Sequence, residues 1–142
     1  DHGLEYVMYK PASLETVEEI FAKRFNGESI THEEELVFKT AFMVTLGKEY
    51  NKKNNRIAAI CAAPSILGNL GLLEGKKAMA FPGFEMQLTG AVIITAPERV
   101  VTDGNITTSR GMGTSLDLGL ELVRLIKGEE LAEQLRTSTQ YI

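Results

Sequence analysis

A short apolar segment that is followed at once by a helical segment is the feature that most restricts the fold. Ile57-Ala58-Ala59-Ile60 is a continuous apolar run, which is typical of a strand buried on both faces of a sheet. Residues 62–70 then have the pattern of a helix, with Gly71 near its end. A strand that leads directly into a helix is the repeating unit of α/β folds with parallel sheets. Cys61 is therefore predicted to lie where a strand turns into a helix.

Strand and helix signals also alternate in the first part of the chain. Residues 5–9 are β-prone, and residues 14–25 have apolar side chains at three- and four-residue spacing, which predicts an amphipathic helix capped by Ser13. Thr31, with Glu34 three residues later, forms a capping box that predicts a second helix towards residue 50. The β-branched and aromatic stretch 36–46 within it fits a strand equally well.

The second half predicts further strands, one hairpin and two helices. Strand signals cover residues 77–81, 91–95 and 100–101, and Asp103-Gly104 predicts a hairpin into residues 106–108. A glycine-containing loop at 109–115 precedes predicted helices at 116–126 and 129–135. The loop is predicted to be a tight turn in which Thr114 or Ser115 caps the helix. We therefore expect a single α/β domain over residues 1–142, with a largely parallel sheet.

Composition excludes several classes of protein. With 44% hydrophobic and 24% charged residues, the chain has ordinary globular composition. One cysteine cannot form an internal disulfide, and His2 and His32 are too far apart for a recognisable zinc motif. A net charge of −4 argues against nucleic acid or an anionic membrane as the main partner. Without a signal peptide or an apolar span of about 20 residues, a cytoplasmic location is expected.

The position of Cys61 suggests that its thiol is a reactive nucleophile. A side chain at the carboxyl end of a parallel strand points into the crevice where α/β folds bind ligands, and the amides that begin the next helix stabilise a thiolate. The small neighbours Ala59, Ala62 and Ala63 suit a sharp turn of the nucleophile-elbow type. The alternative is a buried cysteine that acts as a small hydrophobic residue.

Three segments resemble one known family. They are Arg56-Ile57-Ala58-Ala59-Ile60-Cys61-Ala62-Ala63-Pro64, then Phe81-Pro82-Gly83-Phe84-Glu85, then Asp103-Gly104-Asn105-Ile106-Thr107-Thr108-Ser109-Arg110-Gly111-Met112-Gly113-Thr114-Ser115. Together they closely resemble the ThiJ/PfpI superfamily, in the branch of the parkinsonism-associated deglycase and its bacterial relatives. The resemblance extends from about residue 55 to residue 135.

This resemblance implies a flavodoxin-like (class I glutamine amidotransferase-like) sandwich with helices on both faces, which is usually a homodimer. It implies cofactor-free glyoxalase or deglycase chemistry on a small aldehyde, with Cys61 as the nucleophile and no metal. Glu15 is the candidate for the glutamate that the family pairs with its cysteine, with a one-residue gap assumed. Ala62, Arg110 and Gly111 are implied to line the oxyanion or binding site, although Arg110 could equally pair with a structural carboxylate.

The chain also departs from the family pattern. The family has more strands before the cysteine, including one that ends in a Pro-Gly-Gly loop, and this sequence has no such loop. Three functions therefore stay open. The protein is an enzyme acting through the Cys61 thiolate, a redox-responsive chaperone or binding protein that holds client proteins when Cys61 is oxidised, or a protein whose cysteine is inert.

Overall fold

The computed structural model describes residues 13–141, apart from the side chain of Lys39. The predicted strand at 5–9 and His2 lie outside the described residues. Contacts divide the chain into two units, residues 1–45 and 46–142. No helix within residues 13–141 has both the length and the apolar character needed to cross a membrane.

The first unit contains helix α1 (Leu14–Phe25) and most of helix α2 (His32–Lys52). The bounds of α1 agree with the prediction, and Ser13 caps it by accepting a hydrogen bond from the Thr16 amide at 3.1 Å. The ammonium group of Lys23 lies 2.7 Å from a carboxylate oxygen of Glu34, so an ion pair joins α1 to the start of α2.

The predicted capping box of α2 is present. The Thr31 amide donates to Glu34 Oε2 at 2.8 Å, and the Glu34 amide donates to Thr31 Oγ1 at 3.1 Å. The alternative of a strand at residues 36–46 is wrong. Helical spacing brings Phe38 and Phe42 together with their ring centroids 6.3 Å apart, and Phe38 packs 4.6 Å from Phe21 of α1.

The strands and helices of the second unit follow one another in the predicted order. Its elements are β1 (Ile57–Ile60), α3 (Pro64–Asn69), β2 (Lys77–Ala78), β3 (Val92–Ile93), β4 (Val100–Asp103), β5 (Ile106–Ser109), α4 (Ser115–Lys127) and α5 (Glu129–Ser138). Two single turns of 3-10 helix lie at Glu85–Gln87 and Met112–Thr114. The helix predicted at 62–70 begins at Pro64, since proline is favoured in the first turn of a helix.

The strands form two small sheets. One has the order β1-β5-β4, in which β1 and β5 are parallel and β4 and β5 form the predicted hairpin. Gly104 supplies the positive φ of 61° that this tight turn uses. The other sheet pairs β2 with β3 in parallel. The predicted α/β class with a largely parallel sheet is confirmed.

The core of the second unit lies between β1, β5, α3 and β2. Its buried members are Ala59, Leu67, Leu73, Ala78, Ala80, Leu88 and Ile106. The expectation that β1 is buried on both faces is wrong, because Ala59 is buried while Ala58 is exposed. Successive side chains of a strand point to opposite faces of the sheet, so only the face of β1 that carries Ala59 is covered.

Candidate active site around Cys61

Cys61 has a left-handed backbone at the junction between β1 and α3. Its φ is 64°, a region that residues other than glycine rarely adopt. Two backbone hydrogen bonds hold it there. The Cys61 amide donates to the Ser109 carbonyl at 3.1 Å, and the Cys61 carbonyl accepts from the Phe81 amide at 2.9 Å. Cys61 is therefore fixed beside the carboxyl ends of β1 and β5, with its side chain partly exposed.

The turn after Cys61 is tight. The Ala63 amide donates to the Ile60 carbonyl at 3.1 Å, and the Ser65 hydroxyl donates to the Ala62 carbonyl at 2.7 Å. Ala62, which directly follows Cys61, is partly buried. The sharp turn that the small residues predict is present.

Gly111 allows the loop after β5 to pack closely against Phe81. A Cβ at Gly111 would lie 3.2 Å from Cδ2 of the Phe81 ring, closer than ordinary contact. The Gly111 amide donates to Thr114 Oγ1 at 3.1 Å, which closes the loop on itself. Thr114 is the N-cap residue of α4, as one of the two predicted alternatives, but its side chain makes no capping hydrogen bond. The hydroxyls of Thr114 and Ser115 donate to the carbonyls of Gly111 and Met112.

Arg110 lies between Ser109 and Gly111 and lines a cavity of about 180 Å³. Its Nε is buried and has no hydrogen-bond partner. No carboxylate among residues 13–141 forms an ion pair with Arg110, so the structural pairing considered for it is not found in that part of the chain. Cys61 is not among the residues that line this cavity.

Glu15 is an exposed residue in the first turn of α1. It belongs to the first unit, whereas Cys61 belongs to the second. The pairing of Glu15 with Cys61 therefore stays a prediction. His32 is exposed, as expected of a surface histidine.

Two residues of the Arg110 cavity were not predicted from the sequence. Glu85 and Thr95 line it together with Arg110, although both are distant from Arg110 along the chain. Glu85 follows the Phe81-Pro82-Gly83 segment, but no residue pattern links either side chain to Arg110. In the part of the chain that the structure describes, no group of three or more His, Cys, Asp or Glu residues could hold a metal ion.

Hydrogen bonds lower the pKa of two carboxyl groups on α4. Burial raises the pKa of Asp117, but hydrogen bonds from Tyr141 and Arg99, each 2.7 Å long, outweigh burial and lower this pKa overall. The Arg124 guanidinium donates two hydrogen bonds to Glu121, at 2.7 and 2.8 Å, and lowers the pKa of that carboxyl.

The sequence match and the geometry at Cys61 together identify the family. The model of the DJ-1/PfpI family matches residues 31–125, which is more than half of the chain. This chain belongs to the DJ-1/PfpI family. Cys61, Ala62, Arg110 and Gly111 lie inside the matched range, and Glu15 lies outside it. DJ-1 proteins are among the fold neighbours of the chain, in agreement with the predicted flavodoxin-like sandwich.

Curated relatives of two kinds share sequence with this DJ-1/PfpI chain. Protein DJ-1 homolog A of Arabidopsis thaliana is 43% identical over 79 residues, which are 55% of this chain and 20% of that protein. Uronate isomerase of Lachnospira eligens is 68% identical over 54 residues, which are 38% of this chain and 12% of that protein. The chain thus spans a fifth or less of the length of both relatives.

The solved structure of oxidized Toxoplasma gondii DJ-1 is similar to this chain, with a TM-score of 0.63 and 30% sequence identity. The likeness covers 69% of this chain and 53% of the Toxoplasma chain.

Proposed function

We propose that this DJ-1/PfpI protein uses the Cys61 thiolate as a nucleophile on small α-oxoaldehydes or their early adducts. The observation that carries the proposal is the left-handed backbone of Cys61, with its φ of 64°. Nucleophile elbows hold their reactive residue on such a strained strand-to-helix turn, which exposes the reactive atom at the end of the sheet. The strain costs about 1–3 kcal/mol and persists only where the surroundings impose it. The bonds to Ser109 and Phe81 impose it here.

The proposed reaction converts an α-oxoaldehyde and water into a 2-hydroxy acid. The thiolate adds to the aldehyde carbon, and the resulting alkoxide takes up a proton to give a hemithioacetal. A base removes the proton from the former aldehyde carbon, and the ketone oxygen takes up a proton to give an enediol. The hydroxyl on the former aldehyde carbon then loses its proton and the former ketone carbon gains one, which leaves a thioester of the hydroxy acid. Water then hydrolyses the thioester and releases the acid and the free thiol. No external oxidant or cofactor is consumed.

Backbone amides beside Cys61 would stabilise the negatively charged oxygen of this sequence. In nucleophile elbows the amide of the residue after the nucleophile is one donor, and that residue is Ala62 here. Gly111 has no side chain, and this lets the loop after β5 pack closely against Phe81, since a Cβ at Gly111 would press on the Phe81 ring. Arg110 lies on the same loop, but it lines a cavity that Cys61 does not line, so it is given no part in this step.

We propose Glu15 as the proton-transferring partner of Cys61, on the resemblance alone. Replacement of Glu15 with Gln removes the acid–base function and keeps the shape of the side chain. If Glu15 serves the site, Glu15→Gln lowers turnover at least tenfold, whereas Glu18→Gln on the same helix does not. Equal turnover in both variants would remove Glu15 from the site and leave the proposal for Cys61 intact.

The direct test is the formation of lactate from methylglyoxal in the absence of glutathione and metal ions. We expect turnover by the unaltered protein and none by Cys61→Ser. Lactate formation at the same rate in Cys61→Ser would refute the proposed nucleophile. Thermal melting of both proteins shows whether the variant is folded.

A second function is favoured by the likeness to a DJ-1 structure that is described as oxidized. In this function the partly exposed Cys61 thiolate reacts with two equivalents of hydrogen peroxide, forms the sulfinate and releases two molecules of water. The oxidised protein would then hold client proteins without turnover. Mass spectrometry that finds two added oxygen atoms on Cys61, in a protein that forms no lactate, would favour this function.

We further propose that the protein acts in the cytoplasm as a homodimer. The proposal follows the resemblance to the family, in which homodimers are usual. Light scattering on the purified protein tests it, since a mass of 15.6 kDa would show a monomer.

A further inference from the structure

The cavity beside Arg110 has the properties of a small binding site. It measures about 180 Å³ and is formed by the segments that follow β2, β3 and β5. Its apolar walls are Ala80, Pro82, Ile94 and Ala96, and its polar side chains are Glu85, Thr95 and Arg110. A few polar groups on a largely apolar, concave surface are typical of sites for small molecules.

Arg110 is the unsatisfied group of this cavity. Its Nε–H is buried and has no acceptor. By contrast, Arg99 and Arg124 of the same unit are both paired with carboxylates at 2.7 Å. A buried donor on a charged group that lacks an acceptor costs free energy, and no ion pair within residues 13–141 neutralises this guanidinium in the cavity wall. The cavity therefore presents a guanidinium that is suited to a carboxylate.

Glu85 limits the charge that the cavity accepts. One of its carboxylate oxygens accepts from the Gly83 amide at 2.6 Å, so the side chain is held in place at the cavity wall. A negative charge on the wall of the same cavity opposes the entry of a phosphate or sulfate dianion. A ligand with a single negative charge and a short apolar body fits both the charges and the walls.

We propose that the Arg110 cavity binds small monocarboxylates, with the carboxylate on the Arg110 guanidinium. The apolar part of the ligand lies against Pro82 and Ile94, and Thr95 offers a hydroxyl at the rim. Cys61 does not line the cavity, so binding there does not depend on the reaction proposed for the thiol.

Nuclear magnetic resonance of the arginine Nε–H groups tests this site, with sodium acetate as the probe and sodium chloride at equal ionic strength as the reference. We expect a saturable shift of the Arg110 signal with acetate and none with chloride. Arg110→Gln should weaken acetate binding by about tenfold or more, the expected loss of a hydrogen bond to a charged group. Arg136→Gln, which removes the same charge from α5, should bind acetate as the unaltered protein does.

Glu85→Gln keeps the test decisive if Arg110→Gln fails to fold. Loss of the negative charge should tighten acetate binding and allow sulfate to bind as well. Three results would overturn the proposal. They are the absence of a saturable acetate shift, an equal shift with chloride, and tighter binding of sulfate than of acetate by the unaltered protein.

Discussion

Replacement of Gly68 with alanine tests how closely α3 packs behind the nucleophile turn. Gly68 is a buried residue of α3, the helix that begins three residues after Cys61. A Cβ on Gly68 would overlap the Gln87 carbonyl oxygen, and it would lie 2.8 Å from Leu88 Cα and 2.9 Å from the Thr89 amide nitrogen. All three atoms belong to backbone, so no side chain can rotate to make room.

Two opposing contributions determine how much Gly68→Ala changes the free energy of unfolding. Alanine favours a helix interior over glycine by up to about 1 kcal/mol. Overpacking of a well-packed core costs about 1–3 kcal/mol, and overlap with rigid backbone corresponds to the upper end of that range. We therefore expect Gly68→Ala to lower the free energy of unfolding by about 2 kcal/mol, which corresponds to a Tm lower by roughly 4–10 °C.

Gly119→Ala is the matched control. Gly119 is an exposed residue of α4, and a Cβ there would meet nothing within 4 Å. Only helix propensity then differs between the two proteins, so the free energy of unfolding of this variant should rise by up to about 1 kcal/mol. Thermal unfolding followed by circular dichroism measures both variants. A Gly68→Ala protein as stable as the unaltered protein, or more stable, would refute the close approach of α3 to residues 87–89.

Three further predictions concern single side chains. Thr108→Val should cost about 1–3 kcal/mol in urea unfolding, because Thr108 Oγ1 accepts a 3.0 Å hydrogen bond from the buried Met79 amide, and an unchanged stability would contradict this. Arg124 lowers the pKa of Glu121, so their pair stabilises the fold above the unfolded pKa of about 4.3 and is lost as the pH falls through the lower, folded pKa. Glu121→Gln should therefore lose up to about 1 kcal/mol at pH 7 and less at pH 3, and an equal loss at both pH values would refute the pairing. Finally, Cys61→Gly should be more stable than Cys61→Ala by about 1 kcal/mol, since glycine tolerates a φ of 64°, and the reverse order would show that the turn is not strained.

The sequence predicted most of the second unit because local signals and tertiary packing agree there. The hairpin at Asp103-Gly104 depends on turn chemistry within a few residues, and α4 depends on a clear apolar periodicity. The exact lengths of the elements were less predictable. Residues 77–81 look like a five-residue strand, but β2 pairs with β3 over two residues only.

The candidate site was predictable only in part. The position of Cys61 between strand and helix follows from local sequence, and so does its tight turn. The Arg110 cavity could not be predicted from local sequence, because only the packing of three separate segments brings Glu85 and Thr95 to the same cavity as Arg110.

Glu15 shows the limit of transferring a residue by resemblance. It lies outside the residues that the DJ-1/PfpI family model matches. A family pattern cannot place a catalytic partner in a segment that the family model does not match.

The rate at which iodoacetamide alkylates Cys61 at pH 7 tests whether the fold activates this thiol as a nucleophile. Cys61 is the single cysteine of the chain, so the reaction reports this residue alone in the folded protein and in urea. An ordinary thiol, with a pKa of about 8.5, is roughly 3% thiolate at pH 7, so full ionisation raises the rate by at most about 30-fold. We expect the folded protein to react several-fold faster than the unfolded protein. A folded protein that reacts more slowly than the unfolded one would contradict this expectation and show that Cys61 is an inert thiol.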